Sequence, residues 1–357
     1  MLPIEDNVPI PGKENAAGNG SPTDNDPLAA PGKRAELARQ ILADIDAYCE
    51  DKYNDGHRKH LGASLIGHEC SRYLWNVFRW LKAERFTGRQ LRLFQRGHLE
   101  EARFEEYLRG IGAEVVAFQP LVLHYHAESE SYFYGPTFDP GDGLVEDVTG
   151  VPEHEAAAHA QGAHLNSKGA NQYRISAVFG HFGGSLDGQV MLPEKYGVPF
   201  GFLSEYKTKG TGRGFSELKE KGVKLTNPVH YAQMSMYGRA YGYKYAIYMS
   251  VNKNDDDLHV EVVELDWTLG EQLERKATDV ITSQVPPQKI AETPAYTKCK
   301  FCHFSGICHN GDPVEKNCRS CTQAKPVDGG QWYCARFNDV IPSDFIAQGC
   351  DQHNPIA

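Results

Sequence analysis

The stretch FLSEYKTKG, residues 202–210, sets an acid and a base two residues apart beside an apolar run. Successive side chains of a strand point to opposite faces, so Glu205 and Lys207 share one face. Alone, such a pair is ordinarily a surface ion pair of little energetic weight. Asp187 alters that reading. It stands in GGSLDGQV, eighteen residues before Glu205, and both acids fall on successive predicted strands. Carboxylates from neighbouring strands can converge on a hard cation, because Mg2+ takes oxygen ligands. A third acid is available upstream. Phe94, His98, Glu101 and Leu108 follow a helical stripe that aims Glu101 at the core. An unpaired carboxylate is costly there, and a shared metal removes the cost.

Thiols form the second chemical group. The chain has nine cysteines and no charged-then-apolar leader pattern, a combination that favours metal binding over disulfides. Cys49 and Cys70 lie early, and the other seven fall between 299 and 350. KCKFCHFSGIC brings Cys299, Cys302 and Cys308 together and leaves a fourth ligand to be supplied. Cys318, Cys321, Cys334 and Cys350 read as a four-thiolate zinc site, two ligands from a knuckle and two from later turns. His303, His309 and His353 are alternates for a thiolate in either group. Cys49, on the first predicted helix, is read as a buried apolar residue.

Asp187 followed by Glu205-Tyr206-Lys207 resembles the signature of the PD-(D/E)XK nuclease superfamily. RGHLEEARF resembles the G-x-x-x-E helix of its RecB-type and lambda-exonuclease-like (YqaJ-like) members, with Gly97 and Glu101 on the matching positions. HYAQMSMYGRAYG resembles their Q-x-x-x-Y helix, matching Gln233 and Tyr237. The order of the four motifs is the family's order. Leu186 stands where the family name has Pro, and His98, Glu100 and Glu101 all remain open as the helix ligand, with Glu101 favoured by spacing. Cys70, in GHECSRYLW, resembles the early cysteine of members carrying an iron–sulfur staple, in which three later cysteines complete the set. The resemblance implies a 4Fe-4S cluster on Cys70, Cys299, Cys302 and Cys308; zinc satisfies the same four positions.

The fold so implied is α/β: a restriction-endonuclease-like core, a central mixed sheet flanked by helices, plus a small cysteine-rich metal-binding C-terminal module. The function so implied is Mg2+-dependent (or Mn2+-dependent) DNA hydrolysis in recombination, repair or phage DNA processing, with the exonuclease form favoured. A structure-specific or nicking endonuclease and an inactive metal-stapled nucleic-acid binder are the alternatives. Phosphodiester hydrolysis needs an activated water, charge neutralisation and help for the leaving oxygen. Ions held by Asp187, Glu205 and Glu101 supply these. Lys207 would position the water or help deprotonate it, and offset developing charge. Gln233 and Tyr237 would bond the DNA phosphate or brace Lys207. His98 and His230 join them as DNA-binding or supporting residues. His181 and Ser185, flanking Asp187, are read as supporting at most. No P-loop is present, so ATP-driven unwinding would come from a partner, a helicase or a single-strand annealing protein.

These groups must be carried by a chain of 357 residues, long enough for one large domain or two modest ones. Residues 1–33 are read as a disordered tail, 34–297 as the nuclease domain and 298–357 as the metal-binding module. Within the domain, 126–171 is acidic and then Ala/His/Gly-rich and is read as an insertion or loop. Its histidines, His126, His154, His159 and His164, could bind metal, but their irregular spacing favours a solvated loop. Helices are expected from about Arg34, in CSRYLWNVFRWL, in RQLRLFQRGHLEEARFEEYLRG, after Asn227-Pro228, and from about Trp267 to Ser283. RISAVFGHFGGSLDGQVML is read as a hairpin bending near Gly183-Gly184. The net charge of −10 argues against a general polyanion binder but allows a local basic channel. Lys207, Lys209, Arg213, Lys219, Lys221 and Lys224 would line it. No apolar run is long enough to cross a bilayer, and cytoplasmic residence (a bacterial host's cytoplasm if phage-encoded) is the expectation.

Overall fold

The computed structural model describes residues 30, 32–54, 56–117, 121–126, 131–136, 145–147, 172–210 and 213–356. Most of the predicted tail and His154, His159 and His164 lie outside these residues. The chain divides into two compact units, Met1–Asn54 with Phe86–Arg92, and Asp55–Arg85 with Leu93–Ala357.

The first unit carries helix α1 (Lys33–Tyr53) and the first turn of α3 (Gly88–Gly110). The apolar stripe Leu37, Ile41, Leu42, Ile45 and Tyr48 stands exposed on α1, and Cys49 is buried. Arg92 forms an ion pair with Asp46, and Glu50 accepts the Gly88 N–H at 2.8 Å.

The second unit is built on a five-stranded sheet in the order β11-β10-β9-β8-β2. Its strands are β2 (Glu114–Val116), β8 (Gly188–Met191), β9 (Phe202–Lys209), β10 (Tyr245–Asn252) and β11 (Leu258–Glu264). Only β9 and β10 run parallel, so the sheet is mixed. A parallel pair needs a long crossover. Here helices α4 (Arg213–Lys221), α5 (Val223–Thr226) and α6 (Pro228–Tyr241) supply it. Pro228 at N1 starts α6 with its missing N–H harmless, and Gly242 in the left-handed region ends it.

Strand alternation then sorts the side chains. Phe202 and Tyr206 join Ile247, Met249 and Val251 in a cluster with Phe104 and Leu108 of α3. Leu203, Ala246 and Tyr248 join the opposite cluster with Met234 and Tyr237 of α6. Burial of both faces explains why β10 reads as a near-continuous apolar run. Each large side chain so buried contributes about 1.5–3 kcal/mol. Glu205 and Lys207 belong by alternation to the face of Leu203, so the sequence sets two charged groups in an otherwise apolar layer.

The remaining elements close around this layer. Strands β6 (Arg174–Ala177) and β7 (Phe182–Ser185) form a hairpin extended by the two-residue β1 (Leu61–Gly62). Its turn falls at residues 178–181, with positive φ at Val178, Phe179 and Gly180, and not near Gly183-Gly184 as expected. Gly184 sits inside β7 because a Cβ there would overlap the Tyr237 hydroxyl. Gly184→Ala should therefore cost about 1–3 kcal/mol by overpacking. Urea denaturation midpoints of the two proteins measure it.

Strands β3 (Leu121–His126), β4 (Ser131–Pro136) and β5 (Val145–Asp147) form a separate antiparallel sheet. Thus part of the stretch expected to be an insertion or loop is strand. Helices α2 (Ser71–Phe78) and α7 (Trp267–Thr282) pack on the α6 side. Asp266 caps α7 by accepting the Leu269 N–H at 2.9 Å. The C-terminal stretch adds a three-stranded sheet, β12 (Ala324–Pro326), β13 (Trp332–Cys334) and β14 (Asp339–Ile341). It delivers Trp332, 0% exposed, into the same core as Phe78. Among the described residues no helix is long and apolar enough to cross a membrane.

Candidate active site and cysteine clusters

Asp187 stands between β7 and β8, and β8 pairs antiparallel with β9 in the register Gly188↔Ser204. That register sets Asp187 against Glu205 and Tyr206. The Tyr206 N–H donates to Asp187 Oδ2 at 2.7 Å. Lys207 Nζ stands 3.8 Å from the same Oδ2 and in a closer ion pair with Glu205 Oε1. It also donates to the Tyr206 carbonyl at 3.0 Å. Two carboxylates thus converge on one ammonium.

Glu205 is 0% exposed. Its Oε2 accepts from Gln233 Nε2 at 3.2 Å, and its Oε1 is the partner of the Lys207 ammonium. Burial pushes its carboxyl up to about 7 against the opposing pull of Lys207. Burial likewise raises Asp187. Burial pulls the Lys207 ammonium down, but Glu205 and Asp187 together hold it above the ordinary lysine range.

The other expected residues fall at varied distances from this centre. Glu101 is close enough to push both Asp187 and Glu205 upward. Its side chain is 29% exposed, and its Oε1 faces His98 Nδ1 at 3.3 Å. The helix face expected to bury it reaches the core only at its C-terminal end, where Leu108 is buried beside Phe104, whereas Phe94 is 44% exposed. Glu100 is the buried acid of the pair and is held by Arg103 at 2.8 Å. Tyr237, 1% exposed, stands beside Gln233 and near Glu205 and Asp187. His230 shares a 3.0 Å hydrogen bond with the Tyr248 hydroxyl. Burial, then Lys207 and Lys209, pull its imidazole down to about 3, so it is neutral.

Tyr248 is the residue that sequence reading missed. It lies opposite Glu205 in the β9–β10 register and is fully buried on the same face. Its signal is the alternation of β10, which becomes usable only once the register is known.

His181 belongs elsewhere. It is fully buried, and its Nε2–H donates to the carbonyls of Val327 and Gln331, each at 2.9 Å. Burial, then Arg319, pull it down to about 4. A histidine depressed when folded binds fewer protons than when unfolded, so its stabilisation is full above about pH 6.5 and is lost as pH falls toward 4. The contribution is on the order of 2 kcal/mol. His181→Gln should flatten that part of the acid limb, read from urea midpoints at pH 7 and pH 4.5, and an unchanged slope would contradict the assignment. Of the expected basic channel, Lys219 is paired with Asp257 at 2.7 Å and Lys221 with Glu217 at 3.9 Å. Lys224 lies over the Tyr231 ring.

The thiols also gather. Cys70 is the N-cap of α2 and accepts the Tyr73 N–H at 3.4 Å. Cys70, Cys299, Cys302 and Cys308 line one cavity. Buried Asn76 donates its amide to Cys308 Sγ at 3.6 Å. Burial raises Cys299 and Cys302, and the neighbouring cysteines add to it. Of the alternates, His303 binds the Ala83 carbonyl at 3.1 Å and His353 the Ser320 hydroxyl at 2.9 Å. Among the described residues, no three His, Cys, Asp or Glu side chains stand in a group that could hold a metal ion as they are oriented. The acid pocket suits a hard cation by its chemistry. It joins two oxygen-donor side chains and a third acid at hand. The first four thiols suit a soft metal or cluster by theirs, since N–H groups already face two of the sulfurs.

Neither a known protein family nor a curated protein matches the chain. Among solved structures, the crystal structure of SSO0001 is similar at 14% identity over 77% of this chain and 97% of that one, with a TM-score of 0.35. The structure of LHK-Exo in complex with dAMP is similar at 14% identity over 67% of this chain and 90% of that one, with a TM-score of 0.32. Likenesses of this degree decide nothing about chemistry, which rests on the acid pocket itself.

Proposed function

We propose that the chain is a metal-dependent deoxyribonuclease, an exonuclease by preference, with Asp187, Glu205, Glu101 and Lys207 as its working groups. The observation that carries this reading is the meeting of Asp187 and Glu205 on the Lys207 ammonium in a buried pocket. A structural ion pair needs one acid for one base. A second buried acid, raised by its own burial, gives the pocket an excess of negative charge that a divalent cation would balance. The order of the motifs, which resembles that of the PD-(D/E)XK nucleases, agrees.

Asp187, Glu205 and Glu101 would hold Mg2+ or Mn2+, with Glu101 turning from His98 to do so. When bound, the ion supplies charge neutralisation at the scissile phosphate. The chain's own groups do the rest. The Tyr206 N–H fixes Asp187, and Gln233 fixes Glu205. The Lys207 ammonium, steadied by the Tyr206 carbonyl, orients the attacking water and stabilises charge as it develops on the phosphate oxygens. Cys70, Cys299, Cys302 and Cys308 would hold a 4Fe-4S cluster or zinc that ties the segment before the sheet to the one after it. A helicase or annealing protein would present the DNA.

Digestion of end-labelled linear and circular DNA, with and without Mg2+, tests the proposal. Release of mononucleotides from linear DNA alone supports the exonuclease form. Cutting of circles supports the endonuclease form. Absence of any Mg2+-dependent product from metal-loaded protein would overturn the nuclease reading.

A further inference from the structure

Arg79, just past α2, and Arg319, between two cysteines, are 0% and 2% exposed. Their hydrogen-bond acceptors are all carbonyls. Arg79 donates to Arg319, Ala324 and Ser283 at 3.3, 2.9 and 3.1 Å. Arg319 donates to Phe78 at 3.0 Å and to Lys59. The remaining faces of the guanidiniums meet rings. Both lie over the Trp332 ring, whose centroid is 5.0 Å from Arg79 and 4.8 Å from Arg319, and Trp80 covers Arg319 at 4.1 Å. No carboxylate is among the groups that act on either. Carbonyl dipoles and ring faces ease a buried cation but do not neutralise it. Arginine cannot shed its charge by deprotonation as lysine can. Two like charges are therefore buried side by side without a counter-charge.

Among the groups that act on Arg79, the one able to become anionic is a cysteine. Cys321 favours the charged form of Arg79. Around it the chain assembles four thiols from three segments. The Cys321 N–H donates to the Cys318 carbonyl at 3.1 Å, a tight turn with both thiols at its ends. The Cys318 N–H donates to Ile346 O at 2.8 Å, which brings in the segment ending at Cys350. Cys334 on β13 lies opposite Ala324. The Asn354 N–H donates to Cys321 Sγ at 3.4 Å, the kind of contact a thiolate takes. Cys350, Cys321 and Cys334 are all near enough to act on the half-buried Cys318 thiol.

We propose that Cys318, Cys321, Cys334 and Cys350 form a closed tetrathiolate site for a zinc-type divalent cation, and that its net negative charge is the counter-charge of the buried Arg79–Arg319 pair. Four thiolates and one divalent cation sum to two negative charges, and two guanidiniums carry two positive ones. Formation of the site requires the sulfurs to turn onto a common centre, with release of their protons. Metal loading then governs how firmly the cysteine segment stays docked on the end of α2. This inference is independent of the nuclease reading.

The test uses the full chain. Elemental analysis should find one zinc more per chain in wild type than in either Cys334→Ser or Cys350→Ser. Equal zinc in wild type and these variants would overturn the site, as would loss of an iron–sulfur chromophore in place of zinc. If the variants fail to fold, wild type alone decides. Removal of zinc by a chelator should expose four further thiols to a colorimetric reagent, and unchanged thiol reactivity overturns the proposal. Arg79→Met tests the charge pairing. It should weaken zinc binding about 10–100-fold while leaving the metal-free protein no less stable than metal-free wild type. Unchanged zinc affinity, or equal loss of stability with and without zinc, would overturn the counter-charge role.

Discussion

Replacing Lys207 by methionine should lower Mg2+-dependent DNA hydrolysis by about 10²–10³-fold or more while the chain stays folded. The size follows from the position of the ammonium. It is the only cation shared by Asp187 and Glu205 among the described residues, and in the proposed reaction it would offset the charge that develops on the phosphate. Methionine keeps the apolar stem and removes the charge. Breaking a buried ion pair ordinarily costs about 3–5 kcal/mol because a bare charge remains. Here the cost should be smaller. Glu205 is already raised to about 7, so a proton can replace the lost ammonium near neutral pH. Far-ultraviolet circular dichroism and a urea titration check the fold, and digestion of end-labelled DNA checks the chemistry. Undiminished digestion would remove Lys207 from the working groups.

The largest effect on stability is expected at Trp332. Its ring is 0% exposed, 5.2 Å from Phe78 and 5.5 Å from His181, and both buried guanidiniums lie over it. Trp332→Ala deletes the largest side chain joining β13 to α2 and to the β6–β7 turn. Large-to-small changes of this kind cost about 3–5 kcal/mol when the site cannot collapse. The backbone around the cavity is held by Arg79 and Arg319 hydrogen bonds, so collapse is opposed. Urea unfolding measures the loss. A change below about 1 kcal/mol would mean that the C-terminal stretch is not packed as described.

The strand bearing Glu205 and Lys207 was legible because its signal is local. Alternation alone puts Glu205 and Lys207 on one face, and Asn227-Pro228 and Gly242 bracket α6 by backbone chemistry. Gly183-Gly184 misled because a glycine pair signals a bend from sequence, whereas Gly184 is required by a side chain 53 residues away, Tyr237. The helix face of Glu101 misled for a related reason. Helical spacing gives a stripe but not its partner, and the sheet takes Phe104 and Leu108 while Phe94 stays exposed. Tyr248 escaped notice because strand register is a tertiary property. The Arg79–Arg319 pair was invisible because arginine is rarely buried, and nothing in WNVFRWL or CRSC says that both charges turn inward.

Diffraction from crystals of the wild-type chain soaked in Mn2+, recorded at the manganese absorption edge, tests the central claim most directly. The account predicts an anomalous peak between the carboxylates of Asp187 and Glu205, within ligand distance of both, with Glu101 drawn toward it. A chain that digests DNA with Mn2+ yet shows no peak between those two acids, or shows one elsewhere, would contradict it.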